Sequence, residues 1–133
     1  MRVDGSCHCG KITFEAEIDP NQIGICHCTD CQKLSGSAFR ITAPTGEADF
    51  KLLTGTPKIY IKTADSGARR VQAFCGDCGT ALYTTSVDGD SRIFGIRVGA
   101  VRQRGELTPT RQFWCESRLS WLPALPGLEL KTR

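Results

Sequence analysis

Seven cysteines of this chain fall into three tight groups, Cys7-His8-Cys9, Cys26-His27-Cys28-Thr29-Asp30-Cys31 and Cys75-Gly76-Asp77-Cys78. An eighth, Cys115, stands apart. Thiols one or two residues apart make poor disulfides, whereas the same spacing suits chelation of a soft metal ion. The first and third groups supply two thiolates each, and each runs into a glycine, Gly10 and Gly79. A knuckle folded around a metal needs tight turns, for which glycine supplies positive φ. Two plus two predicts a closed, tetrahedral four-sulfur zinc site on Cys7, Cys9, Cys75 and Cys78, the usual structural arrangement. The unfolded chain cannot hold that geometry, so metal binding would contribute directly to folding.

The middle group predicts something different. Cys26, Cys28 and Cys31 can converge on one ion, and no fourth protein ligand is obvious. In extended chain the His27 side chain points away from both cysteine neighbours, and the same parity applies to His8. Neither histidine is excluded as a ligand of the other site. Three protein ligands and an open position are the pattern of a working zinc. The alternative is that Cys115 or a histidine closes a second structural site. Three thiolates around a dication leave one net negative charge, which weakens its Lewis acidity. Holding an incoming small thiol as a reactive thiolate then fits better than activating water. The expectation is two zinc ions, one structural and one catalytic, with His27 as the candidate for proton transfer by adjacency.

Cys115 lies in Phe113-Trp114-Cys115-Glu116. A lone cysteine beside aromatics reads as a small buried hydrophobe, with a fourth-ligand or redox role as alternatives. Lys33, Arg40, Arg69, Arg70, Arg97 and Arg118 are candidates to bind an acidic substrate; Lys33 and Arg40 stand closest in sequence to the middle group.

The rest of the chain must position these groups. Its 133 residues suit a single domain spanning residues 1–133. Apolar residues make up 40% and charged residues 23%, so a disordered chain is excluded. Net charge is +3, and seven thiolates with two dications would bring it to about zero, which argues against a nucleic-acid partner. No run approaches the roughly 18 apolar residues of a membrane span. The first residues lack the apolar run of a secretory signal, so the expectation is a cytoplasmic protein away from the membrane.

Periodicity points to short strands separated by Gly and Pro. Lys11 to Ile18 alternates, with Ile12, Phe14, Ala16 and Ile18 on one face. Further strands are expected at Ile23–Ile25, at Phe39–Ala43 before a turn at Pro44-Thr45-Gly46, around Ala48 to Leu52, and around Ile59 and Ile61. Others are expected at Arg69–Phe74, at Thr80–Thr85 with its return at Arg92–Val98, and at Gln112–Glu116. Asp30 to Leu34 suits a helical turn stopped by Gly36, and Arg102 to Gly105 a solvated loop. Leu119 to Leu125 has room for one or two helical turns before Pro123 interferes. This is an all-β pattern of small antiparallel sheets around zinc knuckles.

The ordered groups resemble the glutathione-dependent formaldehyde-activating family, which includes centromere protein V. The resemblance rests on Gly5-Ser6-Cys7-His8-Cys9-Gly10, on Cys26-His27-Cys28-Thr29-Asp30-Cys31 with Gly36 following, and on Phe74-Cys75-Gly76-Asp77-Cys78-Gly79-Thr80. Val98-Gly99-Ala100 and the segment from Pro109 to Trp121 match more loosely. It implies a β-tent-like fold, a structural zinc on Cys7, Cys9, Cys75 and Cys78, and a catalytic zinc on Cys26, Cys28 and Cys31. It also implies a carbon–sulfur lyase that joins glutathione to formaldehyde. Two other classes compete with it: a non-catalytic zinc module for a protein partner, and a thiol-redox enzyme using Cys115. Methionine sulfoxide reductase B is of the latter kind, but its paired CxxC knuckles are not matched by Cys7 and Cys9.

Overall fold

The computed structural model describes residues 1–123 and 127–131. Its fold is all-β. Eleven strands are described: β1 (Arg2–Ser6), β2 (Thr13–Glu17), β3 (Gly24–Cys26), β4 (Arg40–Gly46), β5 (Phe50–Thr54), β6 (Lys58–Thr63), β7 (Arg69–Phe74), β8 (Ala81–Ser86), β9 (Ile93–Arg97), β10 (Arg111–Phe113) and β11 (Glu129–Leu130). One short helix, α1 (Thr29–Ser35), follows β3. It ends at Gly36, whose φ of 64° is the left-handed cap that glycine adopts without strain.

A three-stranded antiparallel sheet has the order β1-β2-β5. A larger sheet runs β11-β10-β3-β4-β9-β8-β7-β6. The alternation of β2 explains how the two meet. Ile12, Phe14, Ala16 and Ile18 are all buried. Phe14 stacks on Phe50 of β5 at 5.6 Å between centroids, and Phe50 meets Phe94 and Tyr83 of the larger sheet at 5.1 and 5.0 Å. Val3, Leu82, Ile96 and Val101 complete the same core. Removing the Phe14 ring would cost about 3–5 kcal/mol, the usual range for a buried aromatic truncated to alanine.

Four details differ from the sequence expectations. The larger sheet is mixed, because β10 runs parallel to both β3 and β11. Thr110 anchors this return, its Oγ1 donating to the Asn21 carbonyl at 2.7 Å. β4 continues through Pro44 to Gly46, pairing with β9 as Pro44↔Gly95 and Gly46↔Ile93. β3 borders β4 only as far as Thr42, so Pro44 sits where one edge is free and its missing N–H is tolerated. The strand expected at Gln112–Glu116 stops at Phe113. Trp114 takes a left-handed conformation (φ 55°, ψ 43°), and Cys115–Ser117 form a 3-10 turn.

Arg102 to Gly105, finally, is tethered rather than free. Arg102 Nη2 and Gln103 Nε2 donate to Asp4 Oδ1 at 2.8 and 2.7 Å, and Arg104–Glu106 form a 3-10 turn. Arg102, then Gln103, holds the Asp4 carboxyl down to about 2. Of the expected helical turns at Leu119 to Leu125, one turn is closed by the Leu122 N–H on the Leu119 carbonyl at 3.0 Å, and residues 124 and 125 lie outside the described residues.

Candidate metal centres

Two loops bring the first cluster together. The β1–β2 loop carries Cys7 and Cys9, and the β7–β8 loop carries Cys75 and Cys78. Each is a tight knuckle. The Gly10 N–H bonds the Cys7 carbonyl and the Gly79 N–H bonds the Cys75 carbonyl, at 3.1 and 2.8 Å. Gly10 and Gly79 have φ of 82° and 79°, which favours glycine at both. The strands irregularly paired in register are also those next to the knuckles, at Thr13/Phe14 and Ala73/Phe74.

All four Sγ atoms lie within 4.8 Å of one another. Cys9 is 3.5 Å from Cys7 and 3.8 Å from Cys75, sulfur to sulfur. Four sulfurs about 2.3 Å from a tetrahedral zinc would stand about 3.8 Å apart. Backbone N–H groups converge on the same sulfurs: Ile12 donates to Cys7 at 3.3 Å and Cys9 to Cys78 at 3.5 Å. The Thr80 hydroxyl stands 3.3 Å from Cys78 Sγ, and with its backbone N–H holds that thiol down to about 5. These residues fit a zinc ion in spacing, donor type and supporting hydrogen bonds. The cluster also fastens the three-stranded sheet to the larger one.

The second cluster is built at the junction of β3 and α1. Cys26 ends β3. Cys28 is the N-cap of α1, its Sγ accepting the Cys31 N–H at 3.2 Å, and Cys31 sits in the first turn. Their three Sγ atoms lie within 4.8 Å of one another, and among the described residues no other Cys, His, Asp or Glu joins them. His8 is exposed, and Cys115 lies outside both clusters. Arg40 of β4 donates from Nη2 to Cys31 Sγ at 3.0 Å. The Cys26 thiol and the Arg40 charge together hold Cys31 down to about 5, while the proton shared with Cys31 pushes Cys26 up. Three soft donors, one already favouring its thiolate, fit a zinc ion as well.

His27, the residue expected to move a proton, lies inside the fold. The residue is 0% exposed. Its Nε2 bonds Oε1 of the buried Gln112 at 2.7 Å, its ring meets Phe39 edge-on, and its Nδ1 has no partner among the described residues. The surroundings suit positioning: the backbone N–H of His27 bonds the Phe113 carbonyl at 3.0 Å, and Gln32 Nε2 bridges the carbonyls of His27 and Ser117 at 2.8 and 3.0 Å. The cysteine-bearing turn is thereby tied to β10 and to the turn after it.

Two cavities bear on this cluster, one through Cys28 and the other through Arg40, the partner of Cys31. One, of about 330 Å³, includes Cys28, Lys62, Trp114 and Ser117 in its lining. The other, of about 400 Å³, is walled by Leu34, Tyr60, Phe74 and Tyr83 and reaches Arg40 and Arg97. Of the basic candidates, Arg40 touches the cluster whereas Lys33, on α1, is exposed.

A sequence profile described as glutathione-dependent formaldehyde-activating enzyme matches residues 2–117, which include all three cysteine groups. The chain belongs to this family. Among curated relatives, a Halomonas elongata protein named "Putative glutathione-dependent formaldehyde-activating enzyme" is 30% identical over 62% of this chain and 55% of its own length. An uncharacterized lyase of Schizosaccharomyces pombe is 29% identical over 68% of this chain and 63% of its own. The chain thus spans somewhat over half the length of these relatives. A crystal structure of a Rhodobacter sphaeroides protein shares the fold, with a TM-score of 0.59 at 20% identity over 74% of this chain and 87% of that one.

Within this family member, sequence reasoning passed over Gln72 and Gln112, gave Thr80 and Trp114 no role, and named Arg97 among six basic candidates without ranking it first. Arg97 did carry a signal: a charged residue inside the apolar run Ile93-Phe94-Gly95-Ile96-Arg97-Val98. The uncharged residues carried none, since a buried glutamine looks like any other until its partner is known. No described helix is long and apolar enough to cross a membrane.

Proposed function

We propose that the chain is a zinc-dependent carbon–sulfur lyase of the formaldehyde-activating type, adding a small thiol such as glutathione to a small aldehyde such as formaldehyde. The observation that carries this reading is the three-sulfur cluster with no fourth described protein donor, with Cys28 lining one cavity and Arg40, the partner of Cys31, lining another. Cys7, Cys9, Cys75 and Cys78 would hold a structural zinc, and Cys26, Cys28 and Cys31 a catalytic one. When bound at the second cluster, the metal would supply the charge that keeps a thiol deprotonated at neutral pH.

The chain's own residues do the rest. The β3–α1 junction gathers the three sulfurs, and Cys28 among them lines a cavity. Arg40, already bonded to Cys31, offsets the negative charge of the cluster and stands ready to stabilise the oxyanion that develops as sulfur attacks the carbonyl carbon. His27 positions the turn through Gln112 instead of moving a proton. Holding both reactants together accelerates an addition that also proceeds unaided.

Exchange spectroscopy on formaldehyde, glutathione and the zinc-loaded protein tests this. Faster hemithioacetal formation, absent in Cys28→Ser, is expected; no acceleration by the wild type contradicts the reading.

A further inference from the structure

The cavity beside Arg40 holds more positive charge than the described residues balance. Arg40 and Arg97 are 8% and 7% exposed, and neither forms an ion pair with a carboxylate among the described residues. Both turn to one neutral oxygen. Gln72 Oε1 accepts from Arg40 Nη1 at 3.5 Å and from Arg97 Nη2 at 3.1 Å. Arg97 Nη1 donates to Thr42 Oγ1 at 2.9 Å, and Arg40 Nε is buried without a partner among the described residues. A dication on the three thiolates leaves one negative charge, which Arg40 offsets, so Arg97 remains uncompensated. Burial, then the like charge of Arg40, pushes Arg97 below the usual guanidinium range, the mark of a cation that lacks its anion.

The walls specify more than an inorganic ion. Tyr60, Phe74 and Tyr83, with Leu34, face a space of about 400 Å³, within the size range of small-molecule sites. Formaldehyde, with two heavy atoms, would leave most of it unfilled. A separate cavity, with Cys28 in its lining, gives a thiol its own approach.

We propose that this cavity takes the carboxylate of an organic acid on Arg40 and Arg97, with its apolar body against Tyr60, Phe74 and Tyr83, and that this acid is the carbonyl substrate, an oxo acid in place of formaldehyde. The assignment of the reaction rests on the function proposed above; the binding site does not. In the addition the thiolate sulfur bonds to the carbonyl carbon, the C=O π pair moves to oxygen, and that oxygen takes up one proton, equal to the one the thiol lost. No oxidant or reductant is needed.

Calorimetric titration of the zinc-loaded protein with phenylglyoxylate and with its neutral amide tests the site directly. The amide should bind at least tenfold more weakly than the acid, and Arg97→Met should lose at least tenfold in acid affinity, with Arg97→Lys between. Equal affinity for acid and amide overturns the site, and this comparison needs only wild-type protein. Unchanged acid affinity in a folded Arg97→Met overturns it too.

The source of the carboxylate is settled by rates relative to the uncatalysed reaction, with glyoxylate or formaldehyde paired with glutathione or cysteamine. An advantage of glyoxylate over formaldehyde with both thiols, lost in Arg97→Met, is expected. An Arg97-dependent advantage of glutathione over cysteamine instead assigns the carboxylate to the thiol and overturns the oxo acid. Tight acid binding with no acceleration for any pair upholds the binding site and overturns the proposed reaction.

Discussion

Arg40 and Cys31, on different elements, are joined by a 3.0 Å hydrogen bond from Nη2 to Sγ. The contact spreads the charge of the sulfur cluster into a buried guanidinium and fixes Cys31 toward its neighbours. Arg40→Met keeps much of the side-chain volume but removes the donor. Support of this kind around metal ligands is worth about 10–100-fold in metal affinity. Zinc competition with a chromophoric chelator should show at least a tenfold loss at the three-cysteine cluster and none at the four-cysteine cluster. Equal retention at both would mean that the contact does not support metal binding.

The two clusters should also fail differently. Cys75→Ser breaks the link between the sheets and should lower thermal stability severely, because metal binding there is part of folding. Cys28→Ser should leave a folded chain with one zinc fewer. Cys115→Ser, outside both clusters, should keep both ions. Zinc content and melting temperature of the three variants check this, and equal unfolding of Cys75→Ser and Cys28→Ser would erase the distinction between structural and working sites.

His27 and Gln112 form a buried pair at 2.7 Å. His27→Leu strands the Gln112 amide and should cost about 1–3 kcal/mol, the penalty of an unsatisfied buried polar group. Gln112→Leu should cost a similar amount, and the double variant less than the two together. Chemical denaturation measures all three. A His27 variant of unchanged stability whose activity loses its pH dependence would restore the proton-transfer role.

Asp4 offers a test of the Arg102–Gln103 tether. Its carboxyl titrates near 2 when folded against 3.8 as the ordinary value. A lowered folded value means that the charge stabilises the fold above about pH 4, and that this contribution is lost as pH falls from about 4 to about 2. Asp4→Asn should therefore melt slightly lower than wild type, by a gap that stays constant from pH 7 to pH 5. A gap that narrows within that range contradicts the contact.

The sequence spelled out the parts governed by short-range rules. Alternation placed Phe14 and Ala16 in the core, Gly36 ended α1, and cysteine spacing picked out the sulfurs that the fold gathers into two clusters. It missed what depends on partners far along the chain. Pro44 sits inside β4 because β3 happens to stop short of it, and β10 is parallel to β3 because of where the chain returns. Adjacency placed His27 beside the cysteines but could not show its partner Gln112, 85 residues away. Arg40 was legible by proximity, and Arg97 reaches the same cavity only because β4 and β9 are paired.

The central claim is that Cys26, Cys28 and Cys31 hold a metal with a position left for a thiol. Titrating glutathione into cobalt-substituted protein tests it most directly. The account predicts a sulfur-to-cobalt absorption band that grows with glutathione and is missing in Cys28→Ser, while the four-cysteine cluster does not respond. A spectrum in which both ions already show four protein sulfurs, unchanged at any glutathione concentration, would contradict it.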